Sequence, residues 1–142
     1  MSTIFTKIIK KEIKGYIIYE DELVIAFLDI MQATKGHTLV VTKEEYVTIE
    51  EVPENVFRHL FGVVQKISKI LIKTFNCQGI NLLNNNGFIS GQRVFHYHVH
   101  LLPRFSSDEI KIILPDNINK MKENDYQTIV TNILYEFRKI NL

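Results

Sequence analysis

The segment Phe95-His96-Tyr97-His98-Val99-His100-Leu101 sets three histidines at alternate positions with an aromatic or aliphatic residue in each gap. Successive side chains of a strand point to opposite faces. His96, His98 and His100 therefore share one face, spaced roughly 6.6–6.8 Å per pair of residues, while Phe95, Tyr97, Val99 and Leu101 pack on the other. A helix would scatter the imidazoles around its circumference. Packing supplies no reason to repeat imidazole along one face, so the stretch reads as a strand that carries chemistry.

Two chemistries fit such a face. His-x-His can present nitrogens to a metal such as zinc, which also wants a third ligand and an open position for water. Alternatively, one imidazole attacks an electrophilic phosphorus while its neighbours hold anionic oxygens or protonate the leaving group. Histidine titrates near neutrality, so a neutral nucleophile and a charged donor can stand side by side.

The chain around this strand is of ordinary size and composition. Its 142 residues, 46% hydrophobic and 23% charged, fit one globular domain spanning 1–142. Seventeen basic and sixteen acidic residues leave a net charge of +1. Such a balance gives no general attraction to nucleic acid or membrane, and neither is expected as a partner. The one cysteine, Cys77, excludes an internal disulfide framework and a cysteine-rich zinc site. The first residues lack the apolar core of a secretory signal, and no window reaches the ~20 apolar residues of a membrane span. A cytoplasmic protein is expected.

Periodicity places the other elements. Ile4 to Glu12 reads as a short amphipathic helix or turn, broken at Lys14-Gly15. Tyr16–Glu20 and Leu23–Leu28, rich in β-branched and aromatic residues, read as a hairpin, and Thr38–Thr42 as a third strand. Thr48-Ile49-Glu50-Glu51 has a capping-box pattern and, with Pro53, announces a helix to about Phe75. Its apolar face is Phe57, Leu60, Phe61, Val64, Ile67 and Leu71. His59 falls toward its polar side. Gly79–Leu83 reads as a fourth strand, Asn84–Gly87 as a turn, Gly87–Gly91 as a loop, and the histidine strand runs to Pro103. A last helical segment, about 120–142, is traced by Ile129, Ile133, Leu134 and Phe137. Strands joined by short turns predict an α+β fold, an antiparallel sheet with one long helix on a face plus a C-terminal helix.

The loop before the histidines favours phosphate. Asn85, Gly87, Gly91 and Gln92 offer short polar groups and close backbone approach, and Arg93 and Arg104 bracket the histidines with positive charge.

His96-Tyr97-His98-Val99-His100-Leu101-Leu102 resembles the signature of the histidine-triad (HIT) superfamily. The likeness extends to Gly91-Gln92-Arg93-Val94-Phe95, Pro103-Arg104, Ala26-Phe27-Leu28-Asp29-Ile30, Gly36-His37-Thr38-Leu39-Val40-Val41 and the opening Ile4 to Ile13, covering about 4–104. It implies a mainly antiparallel sheet of about five strands with helices, usually in a homodimer, that binds a purine nucleotide conjugate and cleaves at its α-phosphate. It also implies His98 as the nucleophile that forms a transient nucleotidyl-histidine, His96 as its orienting neighbour, His100 on phosphate oxygens or the leaving group, and His37 in support. Asp29 matches the ribose-binding position, Asn85 and Gln92 the phosphate loop, and Phe5, Ile8, Ile13, Phe27 and Ile30 the slot for the base. No cofactor and no metal are expected.

Two departures matter. Many members carry a pair of cysteines and a histidine that, with the first triad histidine, hold a structural zinc; Thr3, Thr6 and Glu45 stand there instead. Arg93 stands where two branches of the family place serine or threonine, which exchanges a hydroxyl for a cation suited to a longer polyphosphate. A second reading keeps the pocket as a nucleotide-binding or partner-binding module with little or no turnover. A third, a metalloenzyme using the triad as ligands, has no evident acidic or cysteine partner.

Overall fold

The computed structural model describes residues 2–140. Met1, Asn141 and Leu142, at the ends of the expected 1–142 domain and of the last helical segment, lie outside the described residues. The chain forms two compact units, residues 1–110 and 111–142.

The first unit is a five-stranded antiparallel sheet with a helix on each face. Its elements are α1 (Ile4–Ile9), β1 (Ile17–Glu20), β2 (Val24–Leu28), β3 (Thr38–Thr42), α2 (Glu54–Phe75), β4 (Gly79–Leu83) and β5 (His98–Arg104), in the sheet order β1-β2-β3-β5-β4. β2 and β3 are central and covered on both sides. They are therefore continuous apolar runs rather than alternating ones.

The two faces have separate cores. Val24, Ala26, Val40, Tyr97, Val99 and Leu101 meet Val56, Leu60, Val63, Val64, Ile67 and Leu71 of α2. Each aliphatic side chain fully buried there contributes about 1.5–3 kcal/mol. On the opposite face Ile25, Phe27, Leu39 and Val41 meet Phe5 and Ile8 of α1. Val56 and Val63 join the α2 face, while the expected Phe57 and Phe61 lie at its margin, 4.9 Å apart between ring centroids.

Several boundaries differ from expectation. The histidine strand enters the ladder only at His98, so His96 sits on a bend before it. Phe95, expected to pack with Tyr97 and Val99, is exposed as a result. The Thr48–Glu51 pattern closes a turn of its own: the Glu51 N–H reaches the Thr48 carbonyl (3.1 Å) and the Glu51 carboxylate accepts the Val47 N–H (2.9 Å). α2 starts after it, with Pro53 at its N-cap and no side-chain cap. α1 stops at Ile9, short of Glu12, and Lys11 takes a left-handed φ of 61°. His59 faces solvent as expected, and its Nε2 meets the Asp21 carboxylate at 2.6 Å, tying α2 to the β1–β2 turn.

The second unit contains α3 (Glu123–Phe137), opened by the Asp125 carboxylate accepting the Lys122 N–H (2.7 Å). None of its side chains is buried. No helix among the described residues is long and apolar enough to cross a membrane.

Candidate active site

β3 pairs with β5 at Leu39↔His100 and Val41↔His98, which sets both histidines on the α1 face of the sheet. Phe5 of α1 leans over them, its ring centroid 5.0 Å from His98 and 5.9 Å from His96. A carbonyl oxygen only accepts hydrogen bonds, so the contacts fix which nitrogen of each neutral ring holds the proton. His98 donates from Nδ1 to the His96 carbonyl (2.6 Å), leaving Nε2 with a free lone pair. His96 donates from Nε2 to the Thr42 carbonyl (2.6 Å), and its Nδ1 accepts from the Thr3 hydroxyl (2.9 Å).

His37 runs the opposite way. The Ala33 N–H donates to its Nδ1 (3.2 Å), so its proton is on Nε2, which donates to Nδ1 of His100 (2.9 Å). His100 then carries its own proton on Nε2. Asp29 fixes one carboxylate oxygen with the Met31 N–H (2.8 Å) and holds the other 3.7 Å from His37 Nε2. Gln32, which nothing in the motif marks, braces this loop: its Oε1 accepts the Gly36 and His37 N–H groups and its amide nitrogen donates to the His37 carbonyl at 2.8 Å. Gly36 is required beside it. Its φ is +90°, and a Cβ there would stand 2.5 Å from the Phe75 ring.

Burial lowers the pKa of all four histidines. It is the largest influence on His37, His96 and His98. In His100, burial followed by repulsion from His98 and His37 brings the value to about 4. The rings are neutral at pH 7, so the charged donor expected beside the nucleophile is not part of the ligand-free site. An imidazolium here needs an anion next to it.

These groups line a cavity of about 630 Å³. Phe5, Ile8, Ile13, Phe27 and Ile30 form part of its apolar wall, and Asp29, His37, Asn85, Gln92, Arg93, His98 and His100 are at its polar side. His96 is absent from the lining and supports the wall from behind. Leu39, Leu83, Val94 and Leu102 also line it and were not among the residues expected in the base slot. Strand register brings Leu39 and Leu83 beside His100.

Two polar residues serve otherwise than expected. Gln92 is buried, accepts the Gly87 N–H (2.7 Å) and donates to the Val47 (2.7 Å) and Val94 (3.1 Å) carbonyls. With both amide protons engaged, it shapes the loop rather than reaching into it. Arg104 is occupied by Glu109, Asn81 and the Ser106, Ser107 and Ile110 carbonyls, which removes it as a phosphate ligand. Arg93 remains exposed, its guanidinium 5.6 Å above the Phe88 ring.

Two clusters among the described residues could be read as metal sites, and neither is arranged for one. Asp29, His37 and His100 offer ligand atoms within 4.8 Å of one another. A metal on His37 Nε2 would move the ring proton to Nδ1, against the Ala33 N–H. Metal-bound histidine needs an acceptor there. Thr3, Thr6 and Glu45 beside His96 supply two hydroxyls and one carboxylate already bonded to one another, a poor set for the zinc associated with that position.

A family model described as the HIT domain matches residues 10–107. "Protein hit" of Bacillus subtilis is 41% identical over 131 residues, covering 92% of this chain and 90% of the relative. An adenosine 5'-monophosphoramidase of Candida albicans is 36% identical over 107 residues, covering 72% and 70%. A crystal structure of a HIT family member from Bacillus subtilis superposes with a TM-score of 0.90 at 40% identity, over 95% of this chain and 96% of that one.

Proposed function

The chain belongs to the HIT domain family, and from that premise we propose that it is a hydrolase or transferase cleaving purine nucleotide conjugates at the α-phosphate. The observation that carries this reading is the His98 tautomer: Nδ1–H is held by the His96 carbonyl, so Nε2 is an unprotonated nucleophile facing the cavity. The phosphoramidase activity in the name of the Candida albicans relative supports the same class.

The base lies in the apolar slot of Phe5, Ile8, Ile13, Phe27 and Ile30, and Asp29 accepts from the ribose hydroxyls. Arg93 and the Asn85–Gly91 loop hold phosphate oxygens. The bound anion supplies the charge that stabilises a protonated His100, whose added Nδ1–H requires His37 to turn its Nε2–H away, toward the Asp29 carboxylate. His98 Nε2 then forms a bond to phosphorus as the bond to the leaving group breaks, and the His100 proton goes to that group. Positive charge developing on the His98 ring is met by the His96 carbonyl at Nδ1. Water next attacks phosphorus and returns a proton to His100, releasing the nucleoside monophosphate and free His98. Two copies of the chain associate, as the resemblance implies.

A substrate panel of adenosine phosphoramidate, a diadenosine polyphosphate and a nucleotide sugar tests the proposal. Wild type turns over at least one with a strong chelator present, and His98→Asn loses turnover on the order of a thousandfold while still binding the mononucleotide. Turnover retained in His98→Asn contradicts the assignment. Saturable nucleotide binding without turnover on any substrate selects a binding module instead.

A further inference from the structure

The His96 carbonyl that fixes the His98 proton lies just before the β5 ladder, where the Thr42 N–H still reaches the Tyr97 carbonyl (3.3 Å). β5 begins at His98, and the preceding residues follow a bend outside the ladder. Two sets of contacts locate that carbonyl: the Tyr97 N–H of the same peptide unit donates to the Tyr46 carbonyl (2.6 Å), in the loop next to Glu45, and the His96 ring is gripped from both sides, Nε2 by the Thr42 carbonyl at the end of β3 and Nδ1 by the Thr3 hydroxyl at the N-cap of α1. Thr3 is itself held. Its N–H donates to a carboxylate oxygen of Glu45 (2.8 Å), and the same oxygen accepts the Thr6 hydroxyl. The Thr6 N–H in turn donates to the Thr3 hydroxyl oxygen (3.2 Å), directing the Thr3 proton to His96.

We infer that Glu45 is a positioning residue for the nucleophile: through Thr3 and Thr6 it anchors the start of α1, and through the His96 ring it braces, alongside the Tyr46 backbone contact, the carbonyl that orients His98. This rests on the assignment of His98 as nucleophile. The cluster occupies the place of a structural metal and does its work with hydrogen bonds between α1, the loop after β3 and the bend before β5. Phe5, two residues after Thr3 in the first turn of α1, packs on both His96 and His98, so a shift of α1 is felt by both rings. Glu45 is exposed and is not among the residues lining the cavity. Its influence on chemistry runs only through other residues. Both contacts fall on a single oxygen, so an uncharged acceptor suffices.

Glu45→Ala, Glu45→Gln and Thr3→Val are compared with wild type by steady-state kinetics and by 15N NMR of histidine-labelled protein without ligand. Glu45→Ala lowers kcat about ten- to hundredfold, the scale of a small misplacement of a reacting group, while KM stays within about twofold. Its His98 signal changes from the Nδ1–H form to a mixture with Nε2–H. Glu45→Gln, which keeps the acceptor oxygen, restores both properties. Thr3→Val reproduces the Glu45→Ala result and stands in for it if the alanine variant folds poorly, and the two substitutions combined are no worse than one, as members of a single chain of contacts. The inference is overturned if His98 remains wholly Nδ1–H in Glu45→Ala and Thr3→Val, or if kcat is unchanged in them. The NMR reading needs no substrate, so failure of the clamp and failure of the proposed activity are told apart.

Discussion

His98 and His100 are chemically alike in sequence and opposite in the folded protein. The His96 carbonyl leaves His98 a lone pair toward the cavity, whereas His37 Nε2–H leaves His100 a proton there. Alternation along the strand was enough to put both rings on one face, but the tautomers depend on atoms from the Ala33 loop and from His96, contacts made only on folding. Only its place in the Ala26–Ile30 block marks Asp29 in sequence as a ribose-binding candidate. Its carboxylate has one oxygen fixed and the other turned toward His37 at the cavity, so Asp29→Ala weakens mononucleotide binding tenfold or more, the loss of a charged hydrogen bond of about 1.5–3 kcal/mol. Isothermal titration against wild type checks this, and unchanged affinity would place the ribose elsewhere. Gln92 in a glycine-rich loop looks free to bind, while its burial and three backbone partners are invisible in sequence.

At the level of elements, β2, β3, β4 and α2 were legible to within a residue or two, since β-branched runs and a three-four apolar spacing each have a single good solution. Two ends were not. The capping pattern at Thr48–Glu51 is satisfied by a local turn, and the histidine strand loses its first residues to the bend that lets His96 turn toward Thr3 and Thr42. The β2–β3 connection delivers Asp29 and His37 together and depends on Gly36. Gly36→Ala adds a methyl group against the Phe75 ring at a φ of +90°, which costs about 1–3 kcal/mol of strain. The lowered midpoint in urea unfolding is the readout, and a midpoint equal to wild type would mean that the loop and ring move aside freely.

Across the whole molecule, four histidines buried as neutral rings make stability depend on pH. Their folded pKa values lie below the ordinary histidine value, so the unfolded chain binds more protons between the two. Stability contributed by their burial is therefore present above about 6.5 and lost as pH falls. For His100 the loss extends down to its folded value of about 4. Tm should decline through this window, and the decline should shrink in His100→Asn. A slope equal in variant and wild type would remove His100 from the effect. Composition and periodicity disclosed the fold class of the sheet unit, but not the fate of the C-terminal segment, whose apolar residues on α3 are helical as expected and yet none is buried. Central to the account is a covalent bond to one nitrogen, and intact-protein and peptide mass spectrometry after rapid acid-free quench of wild type with adenosine phosphoramidate tests it most directly. The account predicts a transient nucleotidyl adduct on the peptide bearing His98, absent from His98→Asn. An adduct on another residue, or full turnover in His98→Asn, would contradict it.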